Sequence, residues 1–173
     1  MIAITGTPGT GKSTVGKALR SRGYEVIDLG RLIEEGELLG ELDPVRDTHE
    51  VDLDALDELV RERCGDEAIV VGHLAHCLSV DLAVVLRCRP SVLEERLRER
   101  GWSEAKIREN LEAEACDVIL VESLEEVDRV FEIDVSSMGP EQVLSAVEDI
   151  LKGRGEDYAP GQVDWSEEVM DWF

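Results

Sequence analysis

Lysine is scarce in this sequence: only Lys12, Lys17, Lys106 and Lys152 occur, against 40 aspartates and glutamates. The formal charge is −22 over 173 residues. A surface this acidic repels phosphodiester backbones, so nonspecific nucleic-acid binding is disfavoured and not expected. The acidity itself reads in two ways. It is a halophilic hydration shell, soluble where salt screens self-repulsion, or a docking face for a basic partner. Long apolar runs are also missing. Residues 68–71 and 82–86 are far too short to cross a membrane, so no membrane association is expected. The four cysteines, Cys64, Cys77, Cys88 and Cys116, show no C-x-x-C spacing and sit in apolar stretches. They are expected to be reduced core residues rather than a zinc site or a disulfide framework. Strand-like residues begin at Ile2 with no leader before them, which points to the cytoplasm.

What is present suits one compact α/β domain. Hydrophobic residues make up 43% of the chain, enough for a sizeable core at this length. Apolar runs at 2–5, 25–28, 68–71, 82–87 and 130–135 read as strands, several of them continuous as in strands covered on both faces. Helical spacing recurs between them at 12–22, 52–63, 91–100, 104–119 and 139–151. Ser91 and Glu94 stand at capping-box spacing, and Pro140 suits a first helical position. The alternation predicts a five-stranded parallel sheet with helices on both faces. Residues 153–173 differ. Gly, Pro and acids alternate there with Tyr158, Trp165, Trp172 and Phe173, as a flexible acidic tail or a strap anchored by its aromatics.

Residues 6–13 read Gly-Thr-Pro-Gly-Thr-Gly-Lys-Ser and match G-x-x-x-x-G-K-[ST] between a strand and a helix. Glycines there let backbone N–H groups approach phosphate oxygens, and the following helix aims its positive end at them. Gly9, Gly11, Lys12, Ser13 and Thr14 are therefore candidate ATP-binding residues. Lys12 is placed for the β- and γ-phosphates and the Ser13 hydroxyl for Mg2+. No N-K-x-D sequence accompanies the loop, which argues against a GTPase, and the short chain leaves no room for an oligomeric ATPase with its lid domain. A small-molecule or nucleotide kinase is expected. A migrating phosphoryl group needs cations around it, and Arg87, Arg100, Lys106 and Arg108 are the candidates.

Residues 6–14 (GTPGTGKST), 27–32 (IDLGRL), 43–52 (DPVRDTHEVD), Gly72-His73, and Arg100-Gly101-Trp102 with Asn110 resemble the adenylate kinase isoenzyme 6 family, from position 1 to about 152. The resemblance implies a P-loop nucleoside monophosphate kinase domain with ATPase activity, also acting in ribosome assembly. It implies a monophosphate-binding region over about 29–51 and a short lid over about 99–109, with Arg100 on the triphosphate. His73 falls on the family's functional histidine, and 137–140 on the loop near the adenine. AMP is the implied acceptor, and a basic small-subunit ribosomal protein an implied partner. The chain departs from the family where strand three ends. Residues 69–72 read Ile-Val-Val-Gly, without the acid that would orient the Mg2+ water, and Asp28 is the nearest substitute. Two other readings stand beside the kinase: a partner-regulated assembly ATPase with little kinase activity, and a kinase for another small metabolite, of the shikimate type.

Overall fold

A computed structural model describes residues 1–35, 38–43 and 48–172. In chain order the elements are β1 (Ile2–Thr5), α1 (Lys12–Ser21), β2 (Val26–Asp28), α2 (Leu29–Glu35), β3 (Leu39–Asp43), β4 (Thr48–Val51), α3 (Leu53–Arg63), β5 (Ile69–Val71), β6 (Leu82–Arg87), α4 (Pro90–Glu99), α5 (Glu104–Ala115), α6 (Val118–Glu126), β7 (Val130–Asp134), α7 (Pro140–Leu151) and α8 (Ser166–Val169). Five strands form one parallel sheet in the order β2-β5-β1-β6-β7. The five predicted strands are the strands of this sheet.

Alternation along each strand feeds two cores, as a sheet covered on both faces requires. Ile4, Ile69, Val71, Val84 and Leu86 pack with Val15 and Leu19 of α1, Leu93 and Leu97 of α4, and Val143 to Ile150 of α7. Ala3, Val70, Ala83 and Val85 point the other way, onto Leu32 and Ile33 of α2, Leu56 and Val60 of α3, and Leu120 of α6. The sheet is therefore a sandwich filling whose upper edge, at the carboxyl ends of the strands, carries the loops.

Several local expectations fail for physical reasons. The stretch 104–119 is two helices, not one. Asp117 adopts a left-handed conformation (φ 57°) between α5 and α6, and Cys116 beside it is exposed rather than buried. The helix expected from Ser91 begins at Pro90, whose fixed φ suits a first helical position. Arg89 is its N-cap and no side chain caps it. Ser91 instead bonds Glu168 from the C-terminal segment. The hairpin β3–β4, antiparallel with Leu42 opposite His49, and the helix α2 had no strong periodic signal. The segment DPVRDTHEVD crosses this hairpin, but residues 44–47 lie outside the described residues. His49 donates from Nδ1 to Gly40 O at 3.0 Å. Of the C-terminal aromatics, Trp165 is buried and Trp172 is 41% exposed.

Candidate active site

The phosphate loop joins β1 to α1 at the middle of the sheet edge. Gly6 makes this possible: its φ is +134°, and an added Cβ would stand 2.3 Å from the Leu86 carbonyl oxygen. Only glycine tolerates both the backbone and the approach of β6. Thr10 closes the turn, donating from N (3.2 Å) and Oγ1 (2.9 Å) to Thr7 O. Gly11 (φ +101°) caps α1 without a side-chain bond, and the first turn holds no acid. In so acidic a chain, that leaves the helix N-terminus free for an anion.

Lys12 Nζ lies back on the loop, donating to Gly6 O at 2.6 Å and Thr7 O at 3.0 Å. Its pKa is lowered from 10.5 to about 7, chiefly by burial and then by the Arg100 charge, with the Glu114 carboxylate opposing both. Around it opens a cavity of about 220 Å³ whose walls include Gly9, Gly11, Ser13, Thr14, Asp28, His73 and Arg100. Asp28 ends β2 and is the in-register neighbour of Val71, so a carboxylate stands one strand away from the place where β5 lacks one. The His73 ring opens to this cavity. Desolvation first, then the charges of Lys12 and His76, hold its pKa below 6.5. A second cavity of about 480 Å³ shares Gly9, Gly11, Thr14 and Arg100 with the first, and continues over Val135, Met138, Pro140 and Val143.

The structure thus brings Gly9, Gly11, Lys12, Ser13, Thr14, His73 and Arg100 to one place. Three of the four cations nominated from sequence do not join them. Arg87 is buried at the end of β6, bonded to Glu114 (2.8 Å), to Asp117 and to Glu132 (3.4 Å). Lys106 sits over the Trp102 ring at 4.9 Å, and Arg108 pairs with Glu112 along α5 at 2.7 Å. His76 is also structural. It is buried between Thr5 Oγ1 and Glu122 Oε2, each 3.0 Å away. Sequence reasoning missed Glu114, which is buried on α5 and accepts from Thr7 Oγ1. The available signal was its place on the apolar face: Ile107, Leu111 and Glu114 follow at helical spacing.

No group of three or more His, Cys, Asp or Glu able to hold a metal by themselves exists among the described residues. Nor, among them, is any helix long and apolar enough to cross a membrane.

Residues 2–117 match the family described as AAA domain. A protein of Archaeoglobus fulgidus described as "Putative adenylate kinase" is 49% identical, covering 99% of this chain and 94% of its own length. Proteins of the same description from Thermococcus onnurineus and Methanocaldococcus jannaschii are 44% and 37% identical, covering 97% and 99% of this chain and 92% and 96% of their own. Among solved structures, shikimate kinase from Acinetobacter baumannii superposes with a TM-score of 0.63 at 16% identity, covering 90% of this chain and 94% of that one. Shikimate kinase from Bacteroides thetaiotaomicron gives 0.57 at 23% identity, covering 87% and 97%. At those identities the likeness concerns the fold, a P-loop kinase arrangement of sheet and helices. The chain belongs to the archaeal family that these adenylate kinase-like sequences define, and carries its AAA-type nucleotide-binding domain.

Proposed function

We propose that this protein is a nucleoside monophosphate kinase, moving the γ-phosphoryl group of ATP to AMP to give two ADP, with slow hydrolysis of ATP by water as a side activity. One observation carries the reading. The phosphate loop and Arg100 stand between two adjoining cavities, one polar with Asp28 and His73, the other with an apolar wall of Val135, Met138 and Val143. An adenine on the apolar side and an acceptor phosphate on the polar side would meet at Lys12. The adenylate kinase description of the archaeal relatives agrees with this.

Each residue then has a task. The loop amides and the α1 N-terminus hold the β- and γ-phosphates, and Lys12 leaves Gly6 O and Thr7 O to donate to them. Arg100, at the C-terminal end of α4, faces both nucleotides and balances charge that spreads over the transferring oxygens. His73, neutral at pH 7, orients the acceptor by hydrogen bonding. The donor set fits Mg2+, since the Ser13 hydroxyl and the Asp28 carboxylate line one small cavity with room for water. Bound there, Mg2+ would neutralise phosphate charge. Asp28 would then supply the carboxylate absent from β5.

The surface charge favours a second, compatible role. Basic small-subunit ribosomal proteins have the charge that this acidic exterior attracts, and the cycle of ATP would release such a partner during subunit maturation.

A coupled assay of ADP formation from Mg-ATP, with and without AMP at molar salt, tests the kinase reading. The expected outcome is a severalfold rise with AMP, both nucleotides ending as ADP, and loss of turnover in Lys12→Ala. Slow hydrolysis indifferent to AMP, but stimulated by a basic ribosomal protein, would replace the kinase by the assembly role.

A further inference from the structure

Thr7 of the phosphate loop bonds into a largely buried cluster with more negative than positive charge. Glu114 is 2% exposed and takes four donors: Thr7 Oγ1 at 2.5 Å, Arg87 Nε at 2.8 Å, Cys88 N at 3.0 Å and Trp165 Nε1 at 3.3 Å. Glu132 on β7, 3% exposed, takes Gln162 N at 2.5 Å, Val163 N at 3.0 Å and Arg87 Nη1 at 3.4 Å. Asp117 completes the set around the same guanidinium. Three carboxylates share one Arg.

A buried carboxylate not neutralised by a cation must be solvated by dipoles, or it costs more than its contacts return. Among the described residues, five neutral donors do this for Glu114 and Glu132: the Thr7 hydroxyl, the Cys88 amide, and three groups from the C-terminal segment, Gln162 N, Val163 N and the Trp165 indole. The segment is therefore more than a cover over the sheet edge. It supplies three of those five dipoles, two to Glu132 and one, the Trp165 indole, to Glu114 beside the loop.

Glu114 acts forward as well as backward. By fixing Thr7 it fixes the carbonyl on which Lys12 rests and around which Thr10 turns. Its charge also supports the Lys12 ammonium against burial and Arg100.

We propose that residues 162–165 are a working part of the nucleotide site: Trp165 holds Glu114, and Glu114 is a positioning residue that holds the phosphate loop through Thr7. The proposal rests on reading that loop as the nucleotide site, but its first test does not. Hydrogen exchange of the loop amides at positions 7 and 9–14 is measured on the nucleotide-free protein for wild type, Trp165→Phe, Thr7→Val and, as a control, Trp172→Ala. Mg-ATP affinity of each is measured by calorimetry. Losing one hydrogen bond to a charged group predicts, for Trp165→Phe and Thr7→Val, loop exchange about tenfold faster and a Kd about tenfold higher. Amides of β1 and β6 should keep their wild-type protection, and Trp172→Ala should match wild type throughout. Wild-type loop exchange and affinity in Trp165→Phe would overturn the proposal, as would a uniform loss of protection across the sheet. Should Trp165→Phe fold poorly, Thr7→Val still tests the link between Glu114 and the loop, and wild-type loop exchange and affinity in it would overturn the proposal. Should wild type fail to bind Mg-ATP, the kinase reading falls, while loop exchange still decides whether the segment holds the loop.

Discussion

Binding of ATP should draw a proton from solution, and Lys12 is the reason. In the free protein burial and Arg100 bring its pKa to about 7, so at pH 8 about nine in ten molecules carry a neutral amine there. Triphosphate oxygens restore the ammonium. Proton uptake on binding is then about half a proton at pH 7 and about nine-tenths at pH 8. Above pH 7 the apparent Kd should rise by roughly tenfold per pH unit until the bound lysine titrates. Titration calorimetry at pH 8 in two buffers of different ionisation heat reads the uptake directly. Replacing Arg100 by Gln removes one cause of the shift, so the uptake at pH 8 should shrink. The fold itself obeys the same linkage. The unfolded Lys12 holds its proton up to 10.5 and the folded one only to about 7, so the cost of burying it is complete below pH 7. It is relieved as pH climbs through the window between those values, and the nucleotide-free protein gains stability from this group across it. An affinity flat from pH 7 to 9 with no proton uptake would refute the reasoning.

Three further outcomes can be checked by thermal unfolding and Mg-ATP titration. Gly6→Ala forces a side chain into left-handed backbone and onto Leu86 O, and should abolish ATP binding and lower Tm. Gly23→Ala, equally left-handed (φ +92°) but with open space around it, should cost only about 1–2 kcal/mol and leave binding unchanged. Arg87→Ala strands buried carboxylates without their cation, for about 3–5 kcal/mol. At about 2–4 °C per kcal/mol that lowers Tm by on the order of 10 °C, and a fall of only a degree or two would mean that the cluster does not hold the domain together.

The sheet was legible because its central strands β5, β1 and β6 are buried on both faces and read as almost unbroken apolar runs. Strands β2 and β7 keep enough apolar residues around their acids. The phosphate loop was legible because its chemistry is contained in eight consecutive residues. What escaped lacked a local signal. Asp117 breaks a helix without glycine or proline, and the hairpin β3–β4 alternates charged residues with few apolar ones. Arg87 illustrates the deeper limit. A cation ending a strand at the sheet's active edge reads as catalytic, and only the positions of Glu114, Asp117 and Glu132, far away in sequence, show that it faces a buried acid cluster instead. Glu114 reads as one acid among many until its helix is packed.

Of the five strands of the sheet, the earliest along the chain lies at its centre, between β5 and β6. A chain emerging from the ribosome therefore holds β1 with both hydrogen-bonding edges unpaired until residues 69–71 and then 82–87 have followed it. Such edges are templates for joining other chains. Residues 25–68, made during that interval, hold sixteen acids against four arginines and outweigh the four cations before them, and like-charged nascent chains repel one another. The abundance of carboxylates thus protects the protein at the stage when its fold cannot yet do so.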